Sequence, residues 1–143
     1  MKLATIGYEN DTQPQTIQRL KDAGVKTVID VRAVASSRKA GFSKSLLAAS
    51  LAEAGIGYVH LQKLGTPKPG RDAARAGRVE EMRAIFNDHL EEPAAQVQLA
   101  QAGEIAKEGK SALLCYEVDA CACHRQIVAQ RLREALGFEV EDL

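Results

Sequence analysis

The segment from Cys115 to Arg125, CYEVDACACHR, concentrates the residues of this chain that are most able to do chemistry. It holds all three cysteines, and the last of them is followed directly by His124 and Arg125. Cysteine, histidine and arginine in one short segment are typical of four kinds of site. These are a metal centre, a redox pair, a nucleophilic cysteine and an anion-binding pocket.

The spacing of the cysteines disfavours the first two kinds. A structural zinc site commonly takes its four ligands as two separated pairs, and the chain has no second pair because His60 and His89 are isolated. We therefore expect no metal. Cys121 and Cys123 are separated by one residue, whereas thioredoxin-type redox pairs are separated by two, and a disulfide across so short a ring is strained. Three clustered cysteines also do not indicate a disulfide framework.

Cys123 is the candidate nucleophile. At the start of a predicted helix, beside a histidine and an arginine, its thiolate would be stabilised by the helix dipole and the cations. The stretch VIDVR at 28–32 is similar to a strand motif of rhodanese-like sulfurtransferases, although the rest of that pattern is missing. Neither Cys121 nor Cys123 has an arginine six residues later, so the tyrosine-phosphatase signature is absent. A thiol enzyme remains an alternative.

An anion-binding pocket requires the least special geometry. A helix N-terminus offers free backbone N–H groups, and arginines add charge-assisted hydrogen bonds to a phosphate or carboxylate. The candidate ligand-binding residues are Arg32, Ser36, Arg38, His124 and Arg125. Asp30 and Glu117 would orient these cations, or would join Cys123 as catalytic groups if a reaction occurs. Each of these residues also has an ordinary structural interpretation, with Cys115 in the core and Arg125 paired to Glu117 or Asp119.

Strands alternate with helices along the chain. The apolar patterns predict strands at 2–7, 25–31, 56–61 and 110–117, and helices at 11–24, 42–55, 79–90, 93–109 and 124–137. The glycine- and proline-rich stretch 62–77 indicates a long loop, and 138–143 indicates an edge strand or a frayed end. We expect a single α/β domain over 1–143, with a largely parallel sheet of about four to five strands flanked by helices. Ligands bind beyond the carboxyl ends of such strands.

The overall composition favours a cytoplasmic protein. The chain has 143 residues, is 45% hydrophobic and carries no net charge. No apolar run reaches the roughly 20 residues that span a bilayer, and the first residues lack signal-peptide features. Between residues 31 and 71 the only acidic residue is Glu53, whereas the bases are Arg32, Arg38, Lys39, Lys44, Lys63, Lys68 and Arg71. Such a stretch could attract an anionic small molecule or a nucleic acid.

The chain resembles an uncharacterised bacterial and archaeal family, domain of unknown function 488. The resemblance rests on TIGYEN at 5–10, on VIDVRAVASSRKAGFSKSLLAASLAEAGIGYVHLQKLG at 28–65 and on ALLCYEVDACACHRQIVAQRL at 112–132. The positions that match are Asp30, Arg32, Ser36, Arg38, Phe42, Leu64, Gly65, Cys115, Glu117, Cys123, His124 and Arg125. The resemblance implies the fold class and the location of the site, but it supplies no reaction.

Three features depart from the family pattern. Tyr8 and Glu9 stand where members commonly have histidine and serine, Ala35 stands where proline is usual, and Cys121 is an addition. Our leading hypothesis is a pocket for a phosphate-bearing ligand, nucleotide or nucleic acid, with no cofactor. The alternatives are a thiol enzyme that uses Cys123 and a non-catalytic interaction module. With three tyrosines, three phenylalanines and no tryptophan, stacking recognition of single strands has little support.

Overall fold

The computed structural model describes residues 1–118 and 124–143, which form one five-stranded parallel sheet flanked by six α-helices. The strands are β1 (Lys2–Gly7), β2 (Thr27–Asp30), β3 (Gly57–His60), β4 (Ser111–Cys115) and β5 (Glu139–Asp142). The helices are α1 (Gln13–Asp22), α2 (Lys44–Glu53), α3 (Lys68–Arg75), α4 (Val79–Leu90), α5 (Pro93–Glu108) and α6 (His124–Leu136). The strand order is β3-β2-β4-β1-β5. The α/β class and the parallel sheet predicted from the sequence are confirmed.

The sheet is covered on both faces. Neighbouring residues of β1 point to opposite sides, so that Leu3 belongs to one apolar cluster and Ala4 to the other. The cluster around Leu3 takes side chains from α3, α4, α5 and α6, whereas the cluster around Ala4 takes side chains from α1 and α2. Strands buried on both faces are nearly continuous apolar runs, which is why the sequence pattern identified them.

Local signals fix where the helices begin. Thr12 caps α1 in a capping box, because its Oγ1 accepts from the backbone N–H of Gln15 and its own N–H donates to Oε1 of Gln15. Ser43 precedes α2, but its Oγ accepts instead from the backbone N–H of Ser37 at 3.1 Å. This contact ties the loop after β2 to the start of α2.

The stretch 62–77 is not the long loop that its composition predicts. It contains a short 3₁₀ helix at Gln62–Leu64 and then α3. Pro69 lies in the first turn of α3, where its missing N–H costs no hydrogen bond, and Gly70 is buried against neighbouring side chains. Pro69 therefore favours the start of a helix, and Gly70 allows close packing against it. The C-terminal stretch forms β5, which pairs with β1.

Two glycines let the loops beyond the strands pack closely. A Cβ on Gly7, the last residue of β1, would lie 1.8 Å from the carbonyl oxygen of Glu117. A Cβ on Gly65 would lie 2.1 Å from the backbone nitrogen of Ala33. No other residue type fits at these positions without movement of the backbone.

No helix among the described residues has the length and apolar character needed to cross a membrane.

We predict that Gly7→Ala destabilises the protein by roughly 1–3 kcal/mol, because the added methyl group overlaps backbone that cannot rotate away. Urea unfolding followed by circular dichroism measures this change. Gly109→Ala is the matched control, since a Cβ there would meet only Lys26 side-chain atoms at 3.5 Å. Equal unfolding midpoints for the two variants would contradict the close approach at Gly7.

Candidate functional site

A cleft of about 630 Å³ opens beyond the carboxyl ends of the strands. Its lining comes from the loops after β1, β2 and β4, from α3 and α4, and from the start of α6. The cationic side chains in the lining are Arg32, Arg38, Arg71 and Arg75. Glu117 is the one carboxylate among the described lining residues. The strand-end rule for parallel sheets therefore locates the cleft correctly.

A buried ion pair forms the floor of the cleft. Asp30, the last residue of β2, is fully buried, and Arg32 is nearly so. The guanidinium of Arg32 bonds both carboxylate oxygens of Asp30, with Nε to Oδ1 at 2.9 Å and Nη2 to Oδ2 at 2.6 Å. The backbone N–H of Arg32 also donates to Oδ1 at 3.1 Å. This two-pronged geometry fixes the direction in which the chain leaves β2.

The ion pair is completed by groups from three other segments. Nη1 of Arg32 donates to the hydroxyl of Tyr8 at 3.0 Å and to the carbonyl of Phe42 at 2.7 Å. The hydroxyl of Tyr58 donates to Oδ2 of Asp30 at 2.5 Å. Burial and this hydrogen bond raise the pKa of Tyr58. Burial opposes the charge of Arg32, but the hydrogen bonds and charge of Asp30 outweigh it and raise the pKa of Arg32.

We predict that Asp30→Asn lowers the free energy of unfolding by roughly 3–5 kcal/mol, because the buried Arg32 cation loses its counter-charge. Urea titration at neutral pH measures the loss. Glu81→Gln removes the partner of Arg78 in an exposed ion pair, and that control should leave the midpoint nearly unchanged. If Asp30→Asn behaves like the control, the pair does not organise the site.

Two histidines hold the backbone that follows β2. Nε2 of His124 lies 2.6 Å from the carbonyl oxygen of Val31, and Nε2 of His60 lies 2.7 Å from that of Arg32. A carbonyl oxygen only accepts, so Nε2 carries the proton in both rings. Burial lowers the pKa of His124 to about 4, with a further contribution from the charge of Arg125, against the opposing effect of the Val31 hydrogen bond. His124 is therefore neutral at pH 7.

This neutral histidine makes stability depend on pH. The unfolded chain, with a histidine pKa near 6.5, binds a proton more readily than the folded protein does. The contribution of His124 is complete above pH 6.5 and is lost as the pH falls towards 4. We predict that stability falls over this range by roughly 2–3 kcal/mol more in the wild type than in His124→Gln. Urea unfolding at several pH values measures both slopes, and parallel slopes would contradict the neutral imidazole.

Arg125 lies behind the loop that follows β4. It is buried, and its guanidinium donates to the Sγ of Cys115 at 2.9 Å, to the carbonyl of Glu117 and to the carbonyl of Val118 at 3.0 Å. These contacts hold residues 115–118 against α6. Cys115 is buried, as expected from the sequence.

The predicted site residues fall into three groups. Those that line the cleft are Arg32, Ser36, Arg38, Glu117 and His124. Asp30 and Arg125 lie behind the lining and hold other groups in place. Cys123, the candidate nucleophile, lies outside the described residues. Because Asp30 is enclosed by Arg32 and Tyr58, Glu117 is the carboxylate that a ligand in the cleft can reach.

The cleft lining also contains residues that were not among the candidate site residues. Arg71 and Arg75 lie one turn apart on α3, and Tyr8 and Tyr116 follow β1 and β4. The sequence did contain a signal for the two arginines. They follow Pro69 and are four residues apart, and a helix places residues with this spacing on one face. This spacing was overlooked because 62–77 was predicted to be a loop.

The basic stretch separates into two kinds of side chain. Its arginines, Arg32, Arg38 and Arg71, line the cleft, whereas its lysines do not. Lys39 donates to the backbone carbonyl of Glu9, and Lys68 pairs with Asp72 on the surface. The positive charge of the basic stretch that converges on the cleft is therefore carried by arginines.

Comparison with protein-family models matches residues 13–132 to the family described as domain of unknown function DUF488. The chain belongs to this family. The matched range contains every candidate site residue from Asp30 to Arg125, and it begins after Tyr8 and Glu9. Comparison with curated proteins and comparison with solved structures each find no match.

Proposed function

We propose that the cleft binds a small phosphate-bearing ligand. The observation that carries this proposal is the convergence of Arg38, Arg71 and Arg75 on one concave surface. The fourth arginine, Arg32, is neutralised by Asp30 beneath it. Against the remaining three cations the described lining offers a single carboxylate, Glu117. A surplus of positive charge in a cleft with protein walls concentrates anions.

These three arginines keep donors for a ligand. Arg38 is exposed and makes no ion pair with a described carboxylate, and Arg75 has only a surface contact with Asp72 at 3.6 Å. Arg71 uses one nitrogen to donate to the carbonyl of Thr66. A guanidinium carries five N–H donors in a fork that matches phosphate geometry, so each of the three has donors to spare. The hydroxyl of Ser36 adds a neutral donor at the same cleft.

The shape of the site favours a small molecule over a nucleic acid. A volume of about 630 Å³ lies in the usual range of small-molecule sites, which is roughly 300–1,000 Å³. A nucleic-acid interface would instead need cations spread along a track of phosphates. The lysines of the basic stretch lie outside the cleft lining, so the described charges favour one pocket.

Inorganic pyrophosphate is the probe for this proposal, with binding measured by isothermal titration calorimetry. We predict that Arg38→Gln and Arg71→Gln each weaken pyrophosphate binding about tenfold, because each removes a charge-assisted hydrogen bond. Arg133→Gln is the control, since Arg133 is exposed near the end of α6 and does not line the cleft. Equal affinities in all three variants, or no binding to the wild type, would overturn the proposal.

A second titration separates the small ligand from a nucleic acid. A single-stranded oligonucleotide is titrated at several salt concentrations, with pyrophosphate titrated in parallel. Under the proposal the oligonucleotide binds no more tightly than pyrophosphate. Tighter binding, with an affinity that falls steeply as salt rises, would show that several phosphates are contacted and would replace the small-ligand function with nucleic-acid binding.

A further inference from the structure

The cleft has an apolar part as well as a cationic one. Val34 and Tyr116 both line it, and both are unusually exposed for apolar side chains, at 55% and 47% of their surface. Val79 and Met82 extend this part of the lining from α4. A site for phosphate alone needs donors and cations, and it has no use for this apolar surface. The lining therefore suits a ligand with an apolar portion beside its phosphate.

The ring of Tyr116 packs against buried aromatic side chains. It meets the ring of Tyr8 edge to face, with centroids 5.5 Å apart and an angle of 84° between the planes. Tyr8 in turn stacks on Phe42 at 4.1 Å and is nearly parallel to it, and the Tyr8 hydroxyl accepts from Arg32. Tyr8 and Phe42 are buried. The exposed ring of Tyr116 thus has an orientation set by the core, and ordering it costs little when a ligand binds.

We propose that Tyr116 is the platform on which the base of a nucleotide stacks, while Arg38 and Arg71 hold its phosphate. This inference rests on the proposed function and names the ligand class for the same cleft. A nucleotide joins a planar ring, whose faces are apolar, to a phosphate within one small molecule, and each portion finds its matching surface here. Stacking on an aromatic side chain tolerates any base, so the ring assigns the class of nucleotide ligands and not one base.

Adenosine monophosphate and ribose 5-phosphate test this inference, because they share sugar and phosphate and differ only in the base. Calorimetric titration should show adenosine monophosphate binding about tenfold or more tightly than ribose 5-phosphate. Tyr116→Phe should keep this preference because it keeps the ring. Tyr116→Leu should abolish the preference, so that adenosine monophosphate binds no more tightly than ribose 5-phosphate.

The outcomes separate this inference from the function on which it rests. If both compounds bind equally and both need Arg38, the cleft is a phosphate site and the nucleotide inference is wrong. A preference that survives in Tyr116→Leu also overturns the role of Tyr116. Absence of binding by pyrophosphate and by both compounds overturns the proposed function and the inference together.

A second measurement does not depend on the folding of Tyr116→Leu. The chain has no tryptophan, so Tyr116→Trp places a single indole at the cleft. Adenosine monophosphate should quench its fluorescence by stacking, whereas ribose 5-phosphate at a saturating concentration should not. Equal quenching by the two compounds, or none by either, contradicts a stacked base.

Discussion

The buried ion pair between Asp30 and Arg32 is the interaction on which the rest of the site depends. Taking two charges out of water is costly, and the cost is recovered only when nearly every donor and acceptor is satisfied. Here the satisfying groups come from four places: β2 itself, Tyr8 after β1, Phe42 before α2 and Tyr58 on β3. A single pair of charges therefore fixes the relative positions of the segments that surround the floor of the cleft.

The sequence was sufficient to predict the α/β fold class and the edge of the sheet at which the cleft lies. β-branched and apolar runs marked the buried strands, and parallel strands must end on the same side. Asp30 ends β2, whereas Glu117 and His124 come after β4, so this rule alone brought the two segments together before any contact was known. The pattern did not decide whether 138–143 is a strand. A stretch of four mostly polar residues forms a strand here only because it pairs with β1.

The sequence could not show which arginines are hydrogen-bonded inside the fold and which keep donors for a ligand. Arg32 and Arg125 are of the same residue type as Arg38 and Arg71, and residue type alone does not tell which of them are held inside the protein. The difference lies in their tertiary contacts. Arg32 donates to a buried carboxylate and Arg125 donates to the carbonyls of Glu117 and Val118, so their donors are used inside the protein. Tyr116 was likewise one aromatic residue among few until the structure showed its ring at the cleft.

This division has a consequence for the electrostatics of the cleft. Cations that are hydrogen-bonded within the fold cannot move towards a ligand, yet their charges still act on it, and they act more strongly where protein replaces water. Arg125 behind the loop after β4 and the Arg32–Asp30 pair on the floor are fixed charges of this kind. Under the proposed function, the arginines with donors to spare, Arg38, Arg71 and Arg75, would hold the phosphate. Under the same proposal, the charges that are fixed inside the fold would organise the cleft before a ligand arrives, and the arginines with spare donors would adapt to it.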